Sequence, residues 1–405
     1  MTIERTILVI NAGWEQWPLL AAARRACSRL VAVHASPDVR SDLGIDRLEV
    51  ADFRDTARIL KIAHEEQVDA VVTDACDYSA YSAALVAEVL GLPGIGIRAA
   101  SRTTNKALQR VAVAAAGVPQ PKHAAGASIE DARHAAEAVG YPLIVKPVDS
   151  RGGLGVRVVK REEDLQAAVI HAIGNSISWQ FMIEEFIEGT QVVVDGYVFP
   201  RSGYQPLVIS SKRMVADSHT ATDYISPPEI SPRHRDALKS YDARIVDALG
   251  IKFGMTHGEY MIDDKGRVHL IEIANRSGGV WIGAKYDPAV SGIDTTEQLV
   301  EDALDSGRDL FQERGGPANH LGRIHFLIPP IGKTLSAIRG TEHARALPGV
   351  AGFWANDVKG LRVDAYDSDL IRQGFAIISA ETQEELDNLV EQIQQIISFQ
   401  TEGVE

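Results

Sequence analysis

The stretch Gly258-Glu259-Tyr260-Met261-Ile262-Asp263-Asp264-Lys265-Gly266-Arg267-Val268-His269-Leu270-Ile271-Glu272-Ile273-Ala274-Asn275-Arg276 decides the fold. Two apolar runs flank an Asp-Asp-Lys-Gly turn, so it reads as a β-hairpin. If Lys265-Gly266 is a two-residue loop, Glu259 lies directly opposite Glu272; if Asp263 to Gly266 is a four-residue loop, it lies one diagonal step away. Both registers put the two carboxylates on one face. Like charges across a ladder destabilise it, and an unpaired carboxylate buried in Val-His-Leu-Ile-Glu-Ile-Ala would be costly. A cation is implied, and two carboxylates completed by phosphate oxygens and water suit Mg²⁺, with Mn²⁺ as the alternative. The bland alternative is a solvated hairpin with incidental glutamates.

Upstream, Lys146 lies in the strand Leu143-Ile144-Val145-Lys146-Pro147, where an unpaired ammonium would also be costly on a buried face. The turn Asp149-Ser150-Arg151-Gly152-Gly153-Leu154-Gly155 follows. Glycines let backbone N–H groups converge on an anion beside a lysine point charge, so phosphate is the natural guest. In Ile183-Glu184-Glu185-Phe186-Ile187-Glu188-Gly189-Thr190-Gln191, alternation puts Glu184, Phe186 and Glu188 on one face of an edge strand. The stretch from Ser210 to Pro228 is polar and without strong periodicity, which reads as a mobile cover over a site. His219 in that cover and His257 at the start of the hairpin are candidate substrate contacts; a lone histidine is more often structural.

The first hundred residues alternate short β-branched runs with helical patterns, the signature of βαβ units around a parallel sheet. The turn after the first strand is Asn11-Ala12-Gly13-Trp14, without GxGxxG, so a dinucleotide site is not supported. The expected class is α/β and α+β: a parallel α/β domain over 1–100, two mixed units over 101–180 and 181–315, and a strand-rich α+β extension over 316–405. A helix starts at Ser231-Pro232 and stops at Gly250, and a last amphipathic helix opens on a Thr382/Glu385 capping box. The net charge of −14 argues against nucleic acid or an anionic membrane as partner. Two cysteines, no HExxH pair and no apolar run near the roughly 18 residues of a membrane span point to the cytoplasm.

Taken together, these pieces resemble the ATP-grasp superfamily of carboxylate–amine ligases across roughly residues 100 to 310. The resemblance rests on Asn105-Lys106, on Lys146-Pro147 with its glycine turn, on Glu184 to Gln191, and on the paired glutamates followed by Arg276. The leading α/β domain, the run Glu272 to Gly279 and the strand-rich tail look most like the L-amino-acid ligases, which make dipeptides or related amides. The resemblance implies an ATP-grasp fold behind a Rossmann-like pre-ATP-grasp domain. It implies Lys106 and Lys146 on ATP phosphates, Gly152 and Gly153 closing over them, and Glu184, Glu185, Phe186 and Ile187 as the adenine hinge. Gln191 stands where family members often carry a glutamate for the ribose hydroxyls. Glu259 and Glu272 are the implied metal ligands; a frequent third ligand, an asparagine, is replaced by Ala274, and the neighbouring Asn275 points the other way on a strand.

The implied reaction is attack of a substrate carboxylate on the γ-phosphate, then attack of an amine on the acyl phosphate, with amino acids as the expected substrates. Arg276 is placed to stabilise the developing oxyanion; its structural alternative is a salt bridge to the two glutamates. Ser277, Gly278 and Gly279 are expected to offer N–H groups to a substrate carboxylate, and Trp281 to wall a side-chain pocket or serve as core. The rival readings are a purine-biosynthesis ligase acting on a ribonucleotide and a nucleotide-binding sensor or scaffold without turnover. A biotin-carboxylase-like role is less favoured, because Ser-Gly-Gly follows Arg276 instead of Gln-Val-Glu-His. A homodimer is expected from the resembled family.

Overall fold

The computed structural model describes residues 4–215, 218, 220–366 and 369–402; His219 lies outside them. A four-stranded parallel sheet opens the chain: β1 (Thr6–Ile10), β2 (Arg29–His34), β3 (Arg47–Val50) and β4 (Ala70–Val72), in the order β3-β2-β1-β4. Ile7 and Val9 pack with Leu19, Leu20 and Ala23 of α1 (Trp17–Ala26), while Leu8 and Ile10 pack against α2 (Thr56–Glu65) and α3 (Asp77–Leu90). Helices thus cover both faces, which is why these strands read as continuous apolar runs. The strand order reverses between β1 and β4, so their carboxyl ends form the switch-point crevice of an open α/β sheet.

After α4 (Ile97–Thr103) and α5 (Lys106–Ala114), a small antiparallel sheet follows, β5 (His123–Gly126), β6 (Leu143–Pro147), β7 (Arg157–Val159) and β8 (Phe181–Glu185), ordered β5-β8-β6-β7. Its apolar face is closed by α6 (Ile129–Val139) and α7 (Leu165–Gly174). The central sheet has eight strands. It contains β9 (Gly189–Phe199), β10 (Gly203–Met214), β11 (Ala221–Ser226), β12 (Gly254–Asp263) and β13 (Val268–Ala274). It also contains β14 (Leu321–Phe326), β16 (Val350–Ala355) and β18 (Gly374–Ala380), in the order β13-β12-β9-β10-β11-β14-β18-β16. The short strands β15 (Lys333–Arg339), β17 (Arg362–Val363) and β19 (Ser398–Thr401) make a third antiparallel set. Strands of the tail therefore extend the sheet that carries the hairpin.

Helix α8 (Pro232–Leu249) covers the back of this sheet, opened by the Ser231 side chain accepting from His234 N–H and closed by left-handed Gly250. The last helix, Gln383–Ile396, opens on the reciprocal capping box of Thr382 and Glu385. Among the described residues no helix is long and apolar enough to cross a membrane.

The expected cover from Ser210 to Pro228 is corrected. Most of it is the β10–β11 hairpin in the middle of the central sheet, with Ser211 opposite Ile225 and Arg213 opposite Asp223. Two of its polar residues face partners inside the protein: Ser210 is fully buried against the Tyr286 hydroxyl at 3.0 Å, and Lys212 reaches Glu259. A strand that lines a polar site loses the hydrophobic alternation by which strands are recognised.

Candidate active site

The hairpin carries Glu259 directly opposite Glu272, as the two-residue turn would have placed it, but the turn is neither of the two expected. Gly266 N–H bonds Asp263 O, and Asp263 N–H bonds Arg267 O, closing a loop of intermediate length. That loop sets Tyr260 opposite Leu270, and a bulge between Glu259 and Tyr260 then shifts the register so that the two glutamates meet. β13 is an edge strand, and α5 covers its open backbone. Gln109 exchanges two hydrogen bonds with Ile273 (2.7 and 3.0 Å), and Arg110 donates to the carbonyls of Leu270 (3.1 Å) and Ile271 (2.6 Å). Unpaired strand edges need such cover.

Lys106 is the first residue of α5, behind Asn105, whose side chain accepts from Leu108 N–H. Its ammonium donates to Ser150 O at 2.8 Å and pairs with Glu272 at 3.0 Å, joining the glycine turn to the hairpin. Burial alone would lower its pKa, but Glu272 and Asp77 outweigh that and raise it. Lys146 and Glu184 lie diagonally across the β6–β8 ladder and pair at 2.6 Å, and Arg110 donates to the other oxygen of Glu184 at 2.8 Å. Burial would raise the Glu184 carboxyl; the two cations instead hold it down at about 2. Glu184 is thus not on the surface of an edge strand. It is buried in a central one, and the strand ends at Glu185, so Phe186 and Glu188 do not continue its face.

Glu259 is held from three sides: by Lys212 at 3.1 Å and the ring nitrogen of His257 at 3.6 Å on one oxygen, and by the Gln191 amide at 2.9 Å on the other. Burial opposes ionisation, yet Lys212 and His257 push its pKa far below the usual range. His257 in turn meets Asp195 at 2.6 Å. Gln191 therefore has a reason to be an amide: a carboxylate there would set a third negative charge beside Glu259. Asn275 faces away from the glutamates and donates to the carbonyls of Phe253 and Met255. Among the described residues no group of three acidic, histidine or cysteine side chains is arranged to cage a metal. The two facing glutamates nevertheless fit Mg²⁺, which takes few protein ligands and leaves the rest to phosphates and water.

A family model described as ATP-grasp domain matches residues 139–285, and one described as L-amino acid ligase C-terminal domain 2 matches residues 325–402. The chain carries an ATP-grasp domain. The crystal structure of an L-amino acid ligase from Bacillus licheniformis superposes on this ATP-grasp protein with a TM-score of 0.81, over 100% of both chains at 19% identity. An alanine–anticapsin ligase from Bacillus subtilis is 27% identical over 64% of this chain and 58% of its own. A D-alanine–D-alanine ligase from Pseudomonas entomophila is 30% identical over 47% of this chain and 61% of its own. The alignments thus span less than two thirds of each of these two ligases.

In this ATP-grasp protein the run from Arg276 to Trp281 docks onto the loops at the carboxyl ends of β1 and β4. Arg276 does not pair with the two glutamates. Its Nε and Nη2 grip both oxygens of Asp77 at 2.7 and 2.6 Å, and its Nη1 donates to Ser277 O at 2.7 Å. Burial opposes its charge, but Asp77 holds the guanidinium firmly protonated. Ser277 is corrected as a substrate donor: it is 2% exposed, and both its N–H (2.9 Å) and its hydroxyl (2.6 Å) are taken by Asp74. Gly278 and Gly279 allow close approach, since a Cβ would stand 2.8 Å from the His257 ring and 2.7 Å from the Glu15 carboxylate. Trp281 donates to Trp14 O at 3.1 Å and packs edge-on against Trp14, Trp354 and Phe375, which makes it part of an aromatic core between the first sheet and the tail.

The geometry brings together Lys106, Lys146, Glu184, Gln191, Glu259, Glu272 and Arg276. Arg110, Lys212, Asp77 and Asp74 belong to the same network and were not singled out by the sequence. Arg110 follows Lys106 by one helical turn, a spacing that would have pointed it to the same face.

Proposed function

We propose that this protein is an ATP-dependent carboxylate–amine ligase that joins amino acids through an acyl phosphate, releasing ADP and phosphate. The observation that carries the proposal is the convergence of Lys106, Lys146 and the facing pair Glu259 and Glu272 beside the glycine turn. The two lysines neutralise triphosphate oxygens, Gly152 and Gly153 let the turn approach them, and the hinge from Glu184 to Ile187 receives the adenine. Glu259 and Glu272 hold Mg²⁺, which when bound supplies charge neutralisation at the transferring phosphoryl group. The substrate carboxylate attacks the γ-phosphorus, the γ–β bridge breaks, and the amine then displaces phosphate from the acyl carbon. Arg276, fixed by Asp77, faces the oxyanion of that second step, where a lost donor typically costs about 3 kcal/mol.

The reading includes the expected division near residues 100, 180 and 315, a cytoplasmic homodimer and no nucleic acid or membrane partner. The test is phosphate release from ATP and Mg²⁺ with pooled amino acids, against pools of purine-pathway amines. Release that depends on amino acids is expected. Release only with purine-pathway amines, or nucleotide binding without any release, overturns the proposal.

A further inference from the structure

A ligase that condenses two amino acids must hold the carboxylate it does not activate, the one on the amine partner. The cations around the cleft are nearly all committed. Lys106 pairs with Glu272, Lys146 and Arg110 with Glu184, Lys212 with Glu259, and Arg276 with Asp77. Arg151 is the exception: among the described residues it forms no ion pair. Its Nη1 meets only the weakly accepting sulfur of Cys76 at 3.7 Å, and its guanidinium lies 5.3 Å from the centre of the Tyr78 ring. Both of those partners flank Asp77, at the carboxyl end of β4.

The placement is built and not incidental. Arg151 leaves the glycine turn directly after Ser150, whose carbonyl is gripped by the Lys106 ammonium at 2.8 Å. Stacking on Tyr78 orients the guanidinium plane, leaving donors in the fork geometry that matches a carboxylate. The nearby acids stop short of an ion pair with it: Asp77 is spanned by Arg276, and Glu15, which accepts from Val280 N–H at 3.3 Å, feels the Arg151 charge only through space. A half-buried guanidinium that no anion contacts among the described residues, between the first sheet and the glycine turn, leaves room for an anionic ligand on its free donors.

We infer that Arg151 binds the free carboxylate of the amine-donating amino acid and so sets the requirement for an acceptor that carries one. This rests on the ligase reading above. Because Lys106 fixes the turn that bears Arg151, seating of the nucleotide and of this acceptor are linked through Ser150.

The experiment offers wild-type protein, with ATP, Mg²⁺ and a pooled amino-acid donor, each standard amino acid in equimolar competition with its α-amide as acceptor, and reads the product ratio by mass spectrometry. MgATP affinity is measured by calorimetry in parallel. The wild type is expected to favour the acid over the amide by about 10- to 100-fold, and Arg151→Gln to bring that ratio near one; acid and amide compete on the same nucleotide-loaded enzyme, so a change in MgATP affinity does not itself move the ratio. Arg151→Lys, which keeps the charge and loses the fork, should fall between. If Arg151→Gln leaves the ratio unchanged, the inference fails, and a loss of MgATP affinity beside that unchanged ratio assigns the guanidinium to the triphosphate instead. If the wild type makes no product with any amino acid, the ligase reading itself fails and this inference falls with it.

Discussion

Replacing Arg110 by methionine tests whether one buried guanidinium holds the site together. Arg110 is 2% exposed and serves three groups at once: the Glu184 carboxylate and the carbonyls of Leu270 and Ile271 on the edge strand. Methionine fills much of the volume and supplies no donor. Breaking a buried pair by removing one partner costs about 3–5 kcal/mol, and each orphaned carbonyl adds about 1–3 kcal/mol. Glu184 retains Lys146, so the lower end, about 3–5 kcal/mol in all, is expected. The pH dependence fixes the cause. Glu184 has a folded pKa of about 2 against an ordinary 4.5, so its stabilisation is complete above the ordinary value and lost as pH falls through that window. Without Arg110 the folded value rises, the contribution shrinks, and acid unfolding begins at higher pH. Urea unfolding followed by circular dichroism at pH 7 and pH 4 measures both effects, and hydrogen exchange at Leu270 and Ile273 reports the edge strand locally. A loss below about 1 kcal/mol at pH 7, or an unshifted acid transition, would refute the reasoning.

Alanine in place of both Glu259 and Glu272 should leave a folded protein that has lost magnesium-dependent nucleotide binding; calorimetry showing undiminished affinity removes the metal assignment. Arg276→Lys breaks the two-point grip on Asp77 and should lower turnover by about 100- to 1000-fold while ATP still binds, as read by single-turnover phosphate release. The glycines of the turn should differ: a Cβ on Gly155 (φ +80°) would stand 2.6 Å from Pro147 Cγ, whereas one on Gly152 (φ +59°) meets nothing within 4 Å. Thermal unfolding should therefore show Gly155→Ala costing about 2–4 kcal/mol and Gly152→Ala about 1 kcal/mol, and equal losses would contradict the packing. Asp242, buried between the Tyr204 and Tyr260 hydroxyls, is pushed up to about 7 by burial, so wild-type stability should decline as pH rises from about 4 towards 7. Asp242→Asn should flatten that decline, and an unchanged profile in urea melts would exclude Asp242 as its source.

Local periodicity carried the reading of elements, and the partners of buried charges lay beyond it. Both turns expected from the sequence place Glu259 and Glu272 on one face, and the structure has them there, although its odd-numbered loop without the bulge would have turned them to opposite faces. Their direct opposition was not legible, because it depends on a bulge at the Ile271 step whose carbonyl is held by Arg110, a residue 161 positions away in the chain. Lys146 and Glu272 were each recognisable as charges that a buried strand would not tolerate alone. What the sequence could not name was the compensating group: Glu184 looked like the exposed side of an edge strand, and Lys212 sat in a stretch whose polarity imitated a loop. Arg276 shows the limit most sharply. Reasoning from neighbours offered it the two glutamates of its own hairpin, while the fold supplies Asp77 from the start of α3, 199 positions earlier. Desolvation makes a partner obligatory without saying where in the chain it lies, so a one-dimensional reading detects that a charge is buried and only the packing of three sheets decides what neutralises it.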